Sequence, residues 1–289
     1  MKKSTKRKIR DGLLNSKGVI ETVVGGSLNL LDPTGIIPEG VKKGIDIAIN
    51  YIANEFDTRV LSEIESDRVK DVMVTAVKKI EKNLSENKKL REDNFFQKIE
   101  DKSDAQEIFE AIIISSQREA QSMKLKFYGN LLANIGFNKD ITSDECMQLI
   151  EIAERLTYRQ CLLMTAIYIN TAQYRMMGQA SILADRFIHN NEKNIPFSRV
   201  SLYQEVLELY RMGLVFEKNG NLIINIGQLN FHNLIVGGLG DRIVELMELD
   251  RLMDNELTDK HLYDFNEILK LIKNDSYEEV GTYSYRAKQ

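Results

Sequence analysis

At three places that read as helix starts, a hydroxyl residue stands three places ahead of Glu or Gln, at the mouth of an apolar run. The pairs are Ser103 and Gln106, Thr142 and Glu145, and Thr157 and Gln160. Each has the form of a capping box. The hydroxyl accepts the N–H of the third helical residue, and that residue's side chain accepts the N–H of the cap. Local hydrogen bonds thus mark where helices begin. With only three prolines in 289 residues to interrupt them, the chain is committed to a mainly α fold.

The box at Thr157 opens the most readable stretch, residues 156–226. An apolar helix runs from Cys161 to Ile169, and a second spans about 178–189. A polar turn, His189-Asn190-Asn191-Glu192, leads to Pro196. A third helix over about 198–212 stops at Gly213. Leu214-Val215-Phe216, the turn Lys218-Asn219-Gly220-Asn221, and Leu222 to Ile226 follow. Asn-Gly between two apolar runs is a hairpin signal. Three helices and a hairpin in this order make a winged-helix-like module.

The rest reads as helices around that module. Over 57–84, Val60, Leu61, Ile64, Val72, Ala76, Val77, Ile80 and Leu84 fall near a 3.6-residue spacing. A charged connector over 85–100 is anchored by Phe95-Phe96. The box at Ser103 predicts one long helix to about Asn134, in which Gly129 and Gly136 either break the helix or admit a neighbour. The box at Thr142 opens a helix through Cys146, Ile150 and Ala153. After the module, Val236-Gly237-Gly238-Leu239-Gly240-Asp241 reads as a glycine turn feeding an acidic helix from Arg242 to about Met253, and a last helix covers about 258–273. The expected organisation is a basic tail (1–17), a helical domain with a glycine-rich hairpin (18–154), the winged-helix-like module with one short β-hairpin (155–228), an acidic helical closure (229–275) and a tail (276–289).

The residues argue against familiar chemistry. His189, His232 and His261 stand far apart with no metal-ligand spacing, and no Cys-x-x-Cys occurs. Gly237-Gly238-Leu239-Gly240 is followed by Asp241-Arg242, not by the Lys-Ser or Lys-Thr of a phosphate loop. No Gly-x-Ser-x-Gly elbow is present, and 43 acids are too many for any carboxylate pair to stand out. Cys146 and Cys161 are too few for a disulfide scaffold and read as buried thiols of a cytoplasmic protein. The expectation is a non-enzymatic protein with no cofactor, no metal and no small-molecule substrate.

Charge leaves three uses open. Net charge is −4, which supplies no global field for nucleic acid. Residues 155–228 nevertheless carry eight bases against five acids. A winged helix that reads DNA sends its third helix into the major groove, with exposed Ser198, Arg199, Ser201, Tyr203, Gln204 and Arg211, and touches backbone with a wing residue such as Lys218. The nucleic-acid candidates are therefore Arg199, Gln204, Arg211 and Lys218. Glu205 and Glu208 cancel the charge of that helix, which favours packing or a protein partner instead. The third use is an anionic membrane surface. Residues 1–17 hold seven Lys or Arg against one Asp. Behind them lies a small, apolar, glycine-containing run, with Val19, Ile20, Val23, Val24, Leu28, Leu30 and Leu31 as the insertion candidates.

Lys124-Leu125-Lys126-Phe127-Tyr128-Gly129-Asn130-Leu131-Leu132-Ala133-Asn134-Ile135 resembles the aromatic-x-Asn-Leu-Leu-Ala helix of the abortive-infection alpha family, bacterial proteins tied to phage resistance. Gly129 departs from the pattern, in which a small residue such as alanine follows the aromatic. Gly237-Gly238-Leu239-Gly240-Asp241 followed by Val244-Glu245-Leu246-Met247-Glu248-Leu249 is similar to an ending of uncharacterised bacterial and phage-associated proteins with a winged helix. Each match covers about a dozen residues. The resemblance implies a bacterial or mobile-element origin and a defence role; it implies no catalytic residue. The combined expectation is a protein-interaction module or homo-oligomer.

Overall fold

A computed structural model describes residues 62–97, 102–177, 197–218 and 231–251, with single or short pieces at 220, 222, 260, 263–265 and 267–269. The chain divides into two compact units, Met1–Arg155 and Leu156–Gln289. Among the described residues the fold is mainly α, with one two-stranded antiparallel sheet.

In the first unit, α1 (Glu63–Ser85) opens on Ser62. Its capping box is complete: the Ser62 hydroxyl accepts the N–H of Glu65, and Glu65 accepts the N–H of Ser62 at 2.7 Å. Val69, Val72, Met73, Ala76 and Val77 are buried, but Ile64 is 64% exposed. The buried stripe steps back from Val69 onto Glu65, so Ile64 falls off it, against the sequence expectation.

The long helix expected over 103–134 is two helices, α2 (Asp104–Arg118) and α3 (Leu125–Ile135), separated by a 3-10 turn at Ser122–Lys124. The Ser103 hydroxyl caps α2 as its box predicts. The Ser115 and Ser116 hydroxyls bond back to the carbonyls of Ala111 and Ile113, and Glu119 turns extended at φ −67°, ψ 114°. The Glu119 carboxylate then accepts the Gln121 N–H and the Lys124 ammonium. Contacts made in the folded chain override a helical pattern.

Helix α3 is buried on nearly every side. Leu125, Phe127, Tyr128, Asn130, Leu131, Leu132, Ala133 and Ile135 are all covered. Its main neighbour is α1. They approach at Gly129, where a Cβ would lie 2.5 Å from Thr75 Cβ and 2.8 Å from the Val72 carbonyl. Of the two readings of Gly129, it is the close approach that the structure adopts. Helix α4 (Ser143–Arg155) packs on α2 and buries Cys146, Leu149, Ile150 and Ala153. Thr142 and Glu145 complete its box, with Thr142 N donating to Glu145 Oε2 at 2.8 Å. Phe95 anchors the connector, 2% exposed.

In the second unit, α5 (Tyr158–Met177) runs eight residues beyond the predicted Ile169 and is buried from Cys161 to Ile167. Its box at Thr157 and Gln160 is complete. Helix α6 (Phe197–Arg211) ends at Gly213, φ +71°. Leu214 N reaches Leu209 O and Gly213 N reaches Tyr210 O, a Schellman closure that needs the left-handed residue glycine supplies. Strand β1 (Val215–Glu217) pairs with β2 (Leu234–Val236), Val215 opposite Val236. Sequence reading missed β2, because three apolar residues beside a glycine turn carry no periodicity. The expected second helix (178–189) and all of the expected strand after Leu222 lie outside the described residues.

The glycine turn opens α7 (Leu239–Met247) through Gly238, φ +57°. A Cβ at Gly240 would fall 2.2 Å from the Leu214 carbonyl, so α7 starts directly over that carbonyl. The acidic helix therefore begins three residues earlier than expected. It also ends earlier, because Glu248 adopts the left-handed conformation (φ 55°, ψ 42°) and a 3-10 turn, Leu249–Arg251, follows.

Gly129→Ala raises helix propensity by roughly 1 kcal/mol but forces a methyl into Thr75 and the Val72 carbonyl. It is expected to lower stability by about 1–3 kcal/mol, read as a lower urea midpoint. A raised midpoint would show that α1 and α3 can separate freely.

Candidate functional site

The nucleic-acid candidates sit on α6 and the turn after β1. Gln204 and Arg211 are exposed, seven residues apart, and share one stripe with Ser201 and Glu208. Lys218 is exposed, and its N–H donates to Asn233 O at 2.7 Å, continuing the β1–β2 pairing by one residue. Arg199 lies in α6 by its backbone; its side chain is outside the described residues. Tyr203, expected on the exposed face, is 5% exposed and packs its ring 6.0 Å from Phe231. It stands one residue from Gln204 and so about 100° around the helix, on the core side.

The two acids of α6 are turned to its own scaffold. Glu205 pairs with Arg159 at 3.1 Å, and Gln160 Nε2 donates to Glu208 Oε2 at 2.9 Å. Both partners come from the first turn of α5, placed there by the Thr157 box. Burial raises the Glu205 carboxyl, Arg159 lowers it, and neighbouring Glu208 raises it again; the net direction is upward from 4.5. The exposed stripe is left with Arg211 as a cation and Glu208 as an anion. Sequence reading saw the charges cancel; it did not see that Arg159 and Gln160 hold the acids.

Two exposed apolar side chains lie on and after β1. Phe216 is 39% exposed and Leu222 74% exposed. The Phe216 ring also covers Gly237, where a Cβ would come within 3.2 Å of it.

Three polar arrangements in the first unit left no trace in the sequence pattern. Lys124 is 1% exposed, pairs with Glu119 and lies 5.5 Å from the Tyr128 ring centre. Asn83 joins α1 to α3 by donating to Asn134 Oδ1 at 3.0 Å, and accepts from Lys88. Arg91 lies 4.1 Å over the Phe95 ring, donates to both oxygens of Asp93, and holds that carboxyl below its usual range. Cys146 sits beside Arg91, yet burial dominates and pushes its thiol up to about 11. Cys146 and Cys161 are both buried and neither is in a disulfide, as their apolar settings predict.

No group of three or more metal-ligating side chains gathers among the described residues. No helix among them is long and apolar enough to cross a membrane. Val19, Ile20, Val23, Val24, Leu28, Leu30 and Leu31, the insertion candidates, lie outside the described residues. Comparison with known proteins finds no matching family model, no matching curated protein and no matching solved structure.

Two outcomes are expected. A carboxyl raised by folding stabilises the fold below its unfolded value and loses that contribution as pH rises through its folded value. The second unit should therefore weaken as pH climbs above about 4.5, and Glu205→Gln should flatten that decline in urea midpoints. Identical pH profiles would show that Glu205 titrates as it does in the unfolded chain. Both thiols should also stay silent toward a disulfide reagent at about pH 8 until denaturant is added. Reaction in the native state would contradict their burial.

Proposed function

We propose that this chain is a non-enzymatic protein-interaction module that works by self-association in the cytoplasm, in bacterial or phage defence. The observation that carries the reading is the use made of α6. The helix that would read DNA in a winged helix spends both its acids and its Tyr203 on its own unit. Its exposed stripe offers one cation beside one anion. Phosphate contacts dominate nucleic-acid affinity, and one cation facing one anion gives little counterion release. Exposed Phe216 and Leu222 supply the apolar anchors a protein contact uses. The defence setting rests on the abortive-infection resemblance of 124–135.

A DNA-binding regulator is the second reading, favoured by the exposure of Gln204, Arg211 and Lys218. Light scattering and duplex-DNA anisotropy separate the two. Self-association predicts a mass above one chain, lowered by Phe216→Ser with Leu222→Ser, and no DNA shift at about 50 mM salt. A strictly monomeric mass sinks it. A DNA shift that weakens steeply by about 150 mM salt and disappears in Arg211→Glu with Lys218→Glu would establish the regulator instead.

A further inference from the structure

The segment between α2 and α3 breaks where its residues do not ask for a break. Arg118-Glu119-Ala120-Gln121-Ser122-Met123-Lys124 contains no glycine, proline or β-branched residue, and all but Ser122 are good helix formers. The apolar spacing also runs straight through, from Ile113 to Ala120, Met123, Phe127 and Leu131. The chain nevertheless turns extended at Glu119 and Gln121. The connector is mostly solvent-exposed, with Arg118, Ala120, Gln121 and Ser122 open. Its one deeply buried group is the ammonium end of Lys124, held by Glu119, their side chains 1% and 9% exposed. A charge this far from water is retained only while its partner stays.

We propose that residues 119–124 are a conformational hinge, latched in its bent state by the buried Glu119–Lys124 ion pair, whose alternative state is one continuous helix from Asp104 to Ile135. Straightening would carry α3 away from α1 and α4 away from α2 in the same chain. The faces so exposed are the unit's own core, and the surface that fits them is the same surface of a second copy. The open state is therefore a reciprocal exchange of α3 and α4 between two chains. Loss of the latch removes the buried ion pair that holds the bend against the local helical preference. This exchange is separate from the self-association proposed above and does not depend on it, and inter-label distance tests it apart from mass.

Ser122 supplies the control. It heads the 3-10 turn, where proline is tolerated, and Gln121 before it is extended at φ −92°, ψ 91°, as a residue before proline prefers. Ser122→Pro therefore fits the bent state and forbids the straight one. Spin labels at exposed Glu107 and Lys139 report the hinge, since both native thiols are buried. The full chain with Glu119→Gln and Lys124→Met is expected to keep its helicity and double its mass relative to wild type. It should also add a narrow distance beyond roughly 40 Å, the length of continuous helix from Glu107 to the end of α3. Adding Ser122→Pro should return it to the single short distance of wild type. Three results would overturn the hinge: the short distance alone in Glu119→Gln with Lys124→Met; a broad distribution with lost helicity, which makes the pair a simple prop of the fold; or a long distance that Ser122→Pro leaves in place.

Discussion

The crossing of α1 and α3 at Gly129 is the contact on which the first unit depends. Glycine in mid-helix costs roughly 1 kcal/mol of propensity, and Gly129 gives up that much to bring the Val72 carbonyl and Thr75 within reach of its backbone. The return is spread along both helices. With the axes close, Val72, Met73, Ala76 and Val77 on α1 and Phe127, Tyr128, Leu131 and Leu132 on α3 are left with almost no exposed surface. A helix covered this fully has no working face of its own. The aromatic-x-Asn-Leu-Leu-Ala resemblance lies on this helix, so its shared residues are packing residues: Tyr128, Leu131 and Ala133 lie in the core, and Asn130 is 7% exposed.

Around that apolar contact the unit buries Lys124 with Glu119 and Asn83 against Asn134, while buried Arg91 reaches out to an exposed Asp93. Buried pairs of this kind add little net stability, because desolvation offsets much of the attraction. What they supply is intolerance of alternatives. Sliding α1 by a turn along α3 would separate the Asn83 Nδ2 donor from Asn134 Oδ1 and lose that bond. The apolar stripes alone would accept such a slip far more readily.

What could be read from the sequence follows the range of the interaction. The boxes at Ser103, Thr142 and Thr157 are formed by residues three apart, and the structure contains each helix start they imply. The stop at Gly213 is equally local. The readings that failed depend on distant partners. The bend at Glu119 rests on packing against α1 and on a lysine whose burial nothing in Lys-Leu-Lys announces. The stop at Met247 puts glutamate, not glycine, in a left-handed conformation. The pairing of Val215–Glu217 with Leu234–Val236 joins segments whose separation gives no period to detect. At the candidate site the same division holds. Helical spacing placed Gln204 and Arg211 on the outside, whereas the ties from Glu205 and Glu208 to α5 cross between elements and stayed invisible.

Those ties bear on what α6 can become as well as on what it is. Reversing the charge of the two acids would put cations at positions 205 and 208, the sites facing the first turn of α5. Lysine at 205 would set a like charge against Arg159 and leave both desolvated. Lysine at 208 would remove the acceptor of Gln160, whose other end is already committed to the Thr157 cap. The capping box that starts α5 and Glu208 of α6 are thus one hydrogen-bonded arrangement, with the Glu205–Arg159 ion pair beside it. Cations at these two positions would loosen the helix's seat. Basic residues at 205 and 208 would first require a rebuilt start of α5, because the same two side chains, Arg159 and Gln160, both shape that start and meet these acids.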